Sequence, residues 1–137
     1  MTDKRHFDEQ IVVSGQISPA EVAELKAEGF AMLINNRPDD EDVGQPSAAE
    51  IEAAAESAGL AYRHVPIRRG MGPSDIEDMS EAISEAGDGK IFAFCRSGNR
   101  SSLVSALARR KQGVAVDKVV ECLRNAGADP APIAHLL

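Results

Sequence analysis

The sequence IFAFCRSGNRSS, residues 91–102, joins a strand, a loop and the start of a helix. Its first four residues are apolar, which is typical of a central strand of a parallel sheet that is buried on both faces. Cys95 follows directly, and a short polar loop with Gly98 leads into a run that carries Leu103 and Leu107 at helical spacing. A buried strand that enters a helix through a tight loop predicts an α/β domain.

Strands and helices alternate on both sides of this segment. Short apolar runs predict further strands at residues 11–13, 30–35 and 62–67. The S-x-x-E pattern of a capping box, which satisfies the first N–H groups of a helix, begins at Ser18, Ser47 and Ser74. Two more helices are predicted after the cysteine, at residues 99–111 and 117–125. This order predicts a largely parallel sheet of four to five strands flanked by helices.

Length and composition indicate one soluble globular domain over residues 1–137, with residues 1–10 expected to be loosely ordered. Hydrophobic residues make up 43% and charged residues 27%, a balance that argues against wholesale disorder. No apolar run approaches the roughly 20 residues that span a bilayer, and the polar N-terminus lacks the apolar core of a signal peptide. Two cysteines form no disulfide framework, so we expect a cytoplasmic protein that does not bind membranes.

The charges limit the classes of ligand. With 22 acidic and 15 basic residues, the net charge of −7 argues against a nucleic-acid binder. Acidic residues are concentrated within residues 39–56, and basic residues within residues 95–124. We therefore expect the negative charge to lie away from the cysteine and a basic mouth to steer a small anion towards it. The three histidines are isolated in the sequence, so neither a metal site nor a cofactor is predicted.

Cys95 is the candidate nucleophile. Its position between a strand and a helix places it at the positive end of the helix, next to backbone N–H groups that stabilise a thiolate. Arg96 adds positive charge, and Arg100 can bind an oxyanion through two parallel N–H bonds. The alternative, a buried and inert cysteine, is the better interpretation of Cys122, which lies among apolar residues in a helical pattern.

The loop resembles two known active-site loops. Cys95-Arg-Ser-Gly-Asn-Arg100 matches the C-R-x-G-x-R loop of rhodanese sulfurtransferases. It is also similar to the H-C-x-x-G-x-x-R-S loop of protein tyrosine and dual-specificity phosphatases, with which it shares Cys95 and Gly98. It departs from the phosphatase pattern because Phe94 replaces the usual histidine and the arginine comes one residue early, with Ser101 at its expected place. Both resemblances imply an anion-binding loop made of Arg96, Ser97, Gly98, Asn99 and Ser101.

Several segments outside the loop resemble one bacterial family, the phosphatase-like domain of the beta-lactamase hydrolase-like proteins. The similarity covers about residues 11–110, including Ile34-Asn-Asn-Arg-Pro-Asp39 and Tyr62-Arg-His-Val-Pro66. It implies a three-layer sandwich of the protein tyrosine and dual-specificity phosphatase type, carrying a cysteine loop of rhodanese length. In that family the domain is sometimes fused to a metallo-beta-lactamase-fold partner linked to sulfide detoxification, and this chain shows no such partner or metal-binding array.

A phosphatase also needs an acid to protonate the leaving oxygen. The segment after the predicted strand at residues 62–67 contains no carboxylate before Asp75, and Asp75 is interpreted as part of the first turn of a helix. Asp39, Asp40, Glu41 and Asp42 can supply the acid from another loop, or they form a solvated acidic loop.

Arg37 is a candidate for fixing the acidic loop or the cysteine loop, and His64 for orienting the cysteine loop by a hydrogen bond. Arg68 and Arg69 extend the positive mouth, or they are ordinary exposed arginines.

Three functions are compatible with this pattern. The first is a sulfurtransferase, which carries sulfane sulfur as a persulfide on Cys95, because good anionic leaving groups need no acid. Its partner is a small anionic or sulfane-sulfur substrate. The alternative is an atypical phosphatase that forms a cysteinyl phosphate on Cys95 and acts on a phosphorylated substrate. The third is a non-catalytic module that binds an anion or a phosphopeptide. The sequence does not indicate the oligomeric state.

Overall fold

The computed structural model describes residues 3–137, which form five strands, five α-helices and one 3₁₀ helix. The strands are β1 (Lys4–His6), β2 (Ile11–Ser14), β3 (Phe30–Asn35), β4 (Ala61–His64) and β5 (Lys90–Phe94). The α-helices are α1 (Pro19–Leu25), α2 (Ala48–Ala58), α3 (Pro73–Glu85), α4 (Asn99–Lys111) and α5 (Val116–Asn125). The 3₁₀ helix follows at Ala131–Leu136. Within residues 3–137, no helix has the length and apolar character needed to cross a membrane.

The strands form one sheet in the order β1-β2-β5-β3-β4. The four strands β2, β5, β3 and β4 run parallel, and β1 is an antiparallel edge strand against β2. β5 occupies the centre, with Phe92 paired to Val12 on one side and to Leu33 on the other. The α/β class and the largely parallel sheet predicted from the sequence are confirmed.

Helices cover both faces of the sheet, because alternate residues of the central strands point to opposite sides. On one face Ile91 and Ala93 pack in a core with residues of α3, α4 and α5. On the other face Phe92 and Phe94 pack in a second core with residues of α1 and α2. All four side chains of this run are fully buried, as its uninterrupted apolar sequence indicates.

The capping signals predicted two of three helix starts correctly. Ser18 and Ser47 each accept a hydrogen bond from the backbone of a glutamate three residues on, and both capping boxes are complete. The third prediction is wrong, because α3 begins at Pro73 with Gly72 as its cap. The Asp75 carboxylate accepts the Gly72 N–H at 2.9 Å, so the helix uses this side chain where Ser74 was expected to act.

The expectation of a loosely ordered N-terminus is wrong for residues 3–10, while residues 1 and 2 lie outside the described chain. Arg5 lies opposite Val13 in the β1–β2 pairing, and Phe7, just beyond β1, is fully buried. The sequence of β1, Lys-Arg-His, shows no apolar alternation that would predict a strand. The order of this strand comes from pairing with β2, which a local pattern does not report.

Candidate active site

Cys95 lies at the carboxyl end of β5, where the central strand meets the loop before α4. The residue is fully buried, and its backbone N–H donates to the carbonyl of Ser14 at 3.3 Å. The Gly98 N–H donates to the Cys95 Sγ at 3.1 Å, so the loop folds back over the sulfur. Because the first N–H groups of a helix have no intrahelical acceptor, the start of α4 at Asn99 supplies donors for an anion on Cys95.

Glycine is required at the turn of this loop, which we call the cysteine loop (residues 95–100). Gly98 has φ = +95°, a conformation that side chains rarely adopt, and a Cβ there would overlap the guanidinium of Arg5. Gly15, after β2, is needed for a second reason. A Cβ at Gly15 would lie 2.9 Å from the carbonyl oxygen of Arg96, so glycine permits the close approach of β2 to the loop.

Arg5 holds the cysteine loop through a hydrogen bond to its backbone at Ser97, a role that the sequence analysis missed. Its Nη2 donates to the carbonyl of Ser97 at 2.5 Å, and its Nη1 donates to the carbonyl of Ala126 at 2.9 Å. Holding the Ser97 carbonyl in this direction fixes one peptide plane of the loop. No local signal marks Arg5, because its partners are backbone carbonyls 92 and 121 residues away in the sequence.

A buried network joins the first turn of α4 to the end of β3. The Ser101 hydroxyl donates to the Asn36 side-chain oxygen at 2.8 Å. The Asn36 amide donates in turn to the carbonyl of Val65 at 3.0 Å. Ser101 and Asn36 are both fully buried, so this network is shielded from water. Ser101, predicted as an anion-binding residue, therefore holds the helix in place through its side chain.

Arg100 binds a carboxylate with both arms of its guanidinium. Nη1 donates to Glu41 Oε2 at 2.7 Å and to the carbonyl of Ile67 at 2.8 Å, and Nη2 donates to Glu41 Oε1 at 2.8 Å. The pKa of Arg100 is raised, mainly by the hydrogen bond to Glu41, and Cys95 also raises it through charge and a hydrogen bond. Arg100 thus holds a carboxylate in the two-armed geometry expected for an oxyanion, and it interacts with Cys95.

Glu41 belongs to the loop after β3, which we call the acidic loop (residues 38–46). The buried Arg37 side chain donates from Nε to Glu41 at 2.9 Å and from Nη2 to Asp42 at 2.7 Å. Asp42 also pairs with Arg96, at 3.2 Å. The hydrogen bond from Arg100 is the largest cause that lowers the pKa of Glu41, to about 2, and Arg37 adds to it against partial burial.

These contacts correct the predicted distribution of charge. The sequence analysis placed the negative charge away from the cysteine, but Glu41 and Asp42 pair with Arg100 and Arg96 of the cysteine loop. The reason is the strand order: β3 and β5 are neighbours and parallel, so the loops that follow them meet at one edge of the sheet.

Four further candidate residues, His64, Asp39, Asp40 and Asn99, lie in or near the acidic loop and the cysteine loop. His64 contacts the carbonyl of Arg37 at 2.9 Å through Nε2, and the hydrogen bond predicted to the cysteine loop is not formed. The Asp39 carboxylate accepts the Ala48 N–H at the start of α2, at 2.7 Å. Asp40 is exposed and has φ = +64°. The Asn99 N–H donates to the Ser97 hydroxyl at 3.3 Å.

Both cysteines are buried, and their surroundings differ: Cys95 lies at the start of the cysteine loop, and Cys122 lies within a helix. Cys122 is buried in the core formed by α3, α4 and α5, and burial raises the pKa of its thiol.

Arg68 and Arg69 are exposed, and they line a cavity together with Arg100. The structure therefore brings Arg37, Glu41, Arg68, Arg69 and Arg100 to the edge of the sheet where β5 ends.

The comparisons with known proteins agree with this architecture. The family model of the phosphatase-like domain of the beta-lactamase hydrolase-like proteins matches residues 3–112. The chain belongs to this family. A beta-lactamase hydrolase-like protein of Agrobacterium fabrum C58 is 34% identical over 111 residues, which are 78% of this chain and 25% of the relative. The chain thus spans about a quarter of the length of that relative.

Solved structures share the whole fold. A candidate phosphatase of Neisseria meningitidis Z2491 is 28% identical with a TM-score of 0.78, and the match covers 96% of this chain and 94% of that one. A kinase associated phosphatase, solved with serine at its catalytic cysteine, matches with a TM-score of 0.72 at 14% identity, over 92% of this chain and 83% of that one. The fold is that of the protein tyrosine phosphatase-like proteins.

These names favour the alternative prediction, a phosphatase, over the sulfurtransferase that the sequence analysis put first. The family is described as phosphatase-like, and the neighbour from Neisseria meningitidis, at 28% identity, carries a phosphatase name. Together with the cysteine at the end of the central strand, they support a cysteine-based enzyme.

Proposed function

We propose that the protein hydrolyses a phosphomonoester through a cysteinyl phosphate on Cys95. The observation that carries this proposal is the two-armed contact between Arg100 and the carboxylate of Glu41, at 2.7 and 2.8 Å. Two oxygens of a phosphoryl group present the same geometry to a guanidinium as a carboxylate does. The N-terminus of α4 and the Gly98 N–H add donors around the sulfur, so a phosphoryl group held by Arg100 lies against the nucleophile.

The reaction divides into two transfers. In the first, the Cys95 thiolate attacks phosphorus, the S–P bond forms, the P–O bond to the leaving group breaks, and the leaving oxygen takes a proton. In the second, water attacks phosphorus, the S–P bond breaks, and phosphate and a proton are released with the thiolate restored. The N–H groups and Arg100 stabilise charge on the three equatorial oxygens in both steps.

Glu41 is the carboxyl group that can supply the proton. While it is paired with Arg100, its pKa of about 2 keeps it ionised and unable to donate. A phosphoryl group that replaces it on Arg100 removes the main cause of that low pKa and adds a negative neighbour, and both changes raise the pKa of Glu41. Asp39 holds the start of α2, and Asp42 pairs with Arg37 and Arg96, so Glu41 is the one of these three carboxylates that contacts Arg100.

Sulfur transfer is the second candidate reaction, and one observation favours it. The carboxylate beside Arg100 is ionised, and a sulfurtransferase needs no proton donor when its leaving group is a stable anion. Its step also balances: the Cys95 thiolate attacks the outer sulfur of thiosulfate, an S–S bond forms, and sulfite departs with the electron pair. The cysteine loop, with four residues between Cys95 and Arg100, has the length of the rhodanese loop.

One experiment separates the two reactions. Purified reduced protein is treated with p-nitrophenyl phosphate and, separately, with thiosulfate, and phosphate release and intact mass are measured. A phosphatase releases phosphate continuously and gains no sulfur. Cys95→Ala abolishes turnover, and the control Cys122→Ala keeps it, because Cys122 lies in the core away from the cysteine loop. A stable gain of one sulfur atom at Cys95, without phosphate release, would instead establish the sulfurtransferase.

A further inference from the structure

A cavity of about 470 Å³ opens beside Arg100. It is lined by the segment that follows Ile67, with Arg68, Arg69 and Met71, and by residues of the 3₁₀ helix Ala131–Leu136. The carbonyl of Ile67 accepts a hydrogen bond from Arg100 at 2.8 Å, so this segment begins beside the Arg100 guanidinium. A volume in this range is typical of sites for small organic molecules, about 300–1,000 Å³.

The lining of this cavity combines cations and apolar side chains with one carboxylate, that of Glu41, which is paired with Arg100. Arg68 and Arg69 are exposed, and neither forms an ion pair or a side-chain hydrogen bond with any other residue in the described part of the chain. Arg37, Arg96 and Arg100, by contrast, are all paired with carboxylates. Met71, Leu103 and Ile133 provide the apolar part of the lining, in the same cavity as the guanidinium groups of Arg68 and Arg69.

We infer that this cavity binds the leaving group of the substrate, and that this group carries a second anion, a carboxylate or a phosphate, on a partly apolar small molecule. The inference rests on the proposed function, because it takes Arg100 to hold the reacting phosphoryl group. Since Arg100 also lines the cavity, a group attached to that phosphoryl has the cavity as its neighbour. The apolar lining residues then contact the body of the molecule, and Arg68 and Arg69 bind its second anionic group.

The test compares two substrates with the same phenolic leaving oxygen, 4-(phosphonooxy)phenylacetate and its neutral N-methylamide. We expect kcat/KM to be about tenfold higher for the carboxylate, which corresponds to one added charge-assisted contact. In the double variant Arg68→Gln/Arg69→Gln the ratio of kcat/KM for the carboxylate to kcat/KM for the amide falls to about one. The matched control Lys118→Gln/Arg124→Gln removes two exposed cations, contributed by α5, and keeps the preference.

The outcomes distinguish failure of the cavity from failure of the reaction. Equal hydrolysis of both compounds by the wild type overturns the cavity assignment and leaves the phosphatase standing. If neither compound is hydrolysed, binding to Cys95→Ser decides: about tenfold tighter binding of the carboxylate, lost in the double variant, supports the cavity alone. Equal binding overturns it as well. Faster hydrolysis of a phosphotyrosine peptide, unchanged in the double variant, would overturn a small-molecule leaving group.

Discussion

The cysteine loop and the acidic loop meet at the same edge of the sheet, but different forces hold them. Glycine geometry, hydrogen bonds from Arg5 to backbone carbonyls and the buried contact of Ser101 with Asn36 fix the cysteine loop. The acidic loop is exposed at Val43 and is joined to the cysteine loop by ion pairs. The first region keeps one shape. The second is anchored by the buried Arg37, and its ion pairs with Arg96 and Arg100 are the contacts that another anion can replace.

The energies of these contacts lead to the same conclusion. Leaving a buried donor or acceptor without a partner costs about 1–3 kcal/mol, so the network under the cysteine loop resists change. The ion pairs between the two loops are partly exposed and screened by salt, although the two-armed Arg100–Glu41 contact is stronger than a single exposed pair. A phosphoryl dianion can replace the Glu41 carboxylate on Arg100 because it offers the same two-oxygen geometry with a second negative charge. The binding loop stays formed while its internal ligand leaves.

The largest effect is expected at the turn of the cysteine loop. Gly98→Ala should lower the free energy of unfolding by about 3 kcal/mol, because it adds left-handed strain and displaces Arg5 from the loop. Gly113→Ala is the matched control: its φ is also +95°, nothing lies within 4 Å of its Cβ position, and strain alone costs about 1 kcal/mol. Urea unfolding measures both values, and equal losses would show that the contact with Arg5 contributes nothing.

A smaller effect is expected when the support beneath the loop is removed. Arg5→Gln loses the hydrogen bond to the Ser97 carbonyl, so the loop donors lose their fixed direction and the Kd for phosphate should rise about tenfold. Lys4→Gln is the control on the same strand, because Lys4 pairs with Glu28 and does not contact the loop. Isothermal titration with phosphate measures the difference.

Arg5 acts as a positioning residue, and a second readout tests this role against a purely structural one. In the Arg5→Gln background, Gly98→Ala should cost less than it does in the wild type, because the guanidinium that the new Cβ displaces is gone and the backbone of Ser14, at 3.2 Å, is the close contact that stays. In turnover assays, KM should rise more than kcat falls. Additive losses of stability, with unchanged phosphate affinity, would contradict the positioning role.

The same comparison explains what the sequence could predict. The cysteine loop is contiguous in the chain, so the residue types of Cys95, Gly98 and Arg100 and their spacing carry their own signal. Two of the capping boxes were predictable for the same reason, since a serine and a glutamate three residues apart act within one helical turn. Long-range partners have no such signal, and Arg5 and Asn36 were therefore missed.

The acidic loop was located wrongly because charge was counted along the chain. Its position depends on the order of the strands, and the sequence predicted a parallel sheet without fixing which strands are neighbours. Once β3 lies beside β5, Glu41 is brought to Arg100 although the two residues are 59 positions apart. A local count of charges therefore reported the composition of each loop correctly and their separation incorrectly.

The smallest effect on structure is expected at Glu41, where the contact is replaceable. Glu41→Gln should tighten phosphate binding about fivefold, because phosphate then displaces a neutral amide from Arg100. The variant should also slow the hydrolysis of phenyl phosphate about a hundredfold, because it removes the proposed acid. p-Nitrophenyl phosphate, whose leaving group is a stable anion, should be affected much less. Asp42→Asn is the control, since Asp42 pairs with Arg37 and Arg96 but not with Arg100.

The pH dependence gives this prediction a sign. Because the folded protein lowers the pKa of Glu41 from 4.5 to about 2, the ionised form is the one that the fold stabilises. The contribution of Glu41 to stability is therefore complete above about pH 4.5 and is lost as the pH falls through 2. Wild-type protein should lose more stability than Glu41→Gln between pH 5 and pH 3, and urea unfolding at both values measures this. Equal losses would mean that the Glu41–Arg100 contact is absent in solution, and Arg100 would then be open to a phosphoryl group without displacement of a carboxylate.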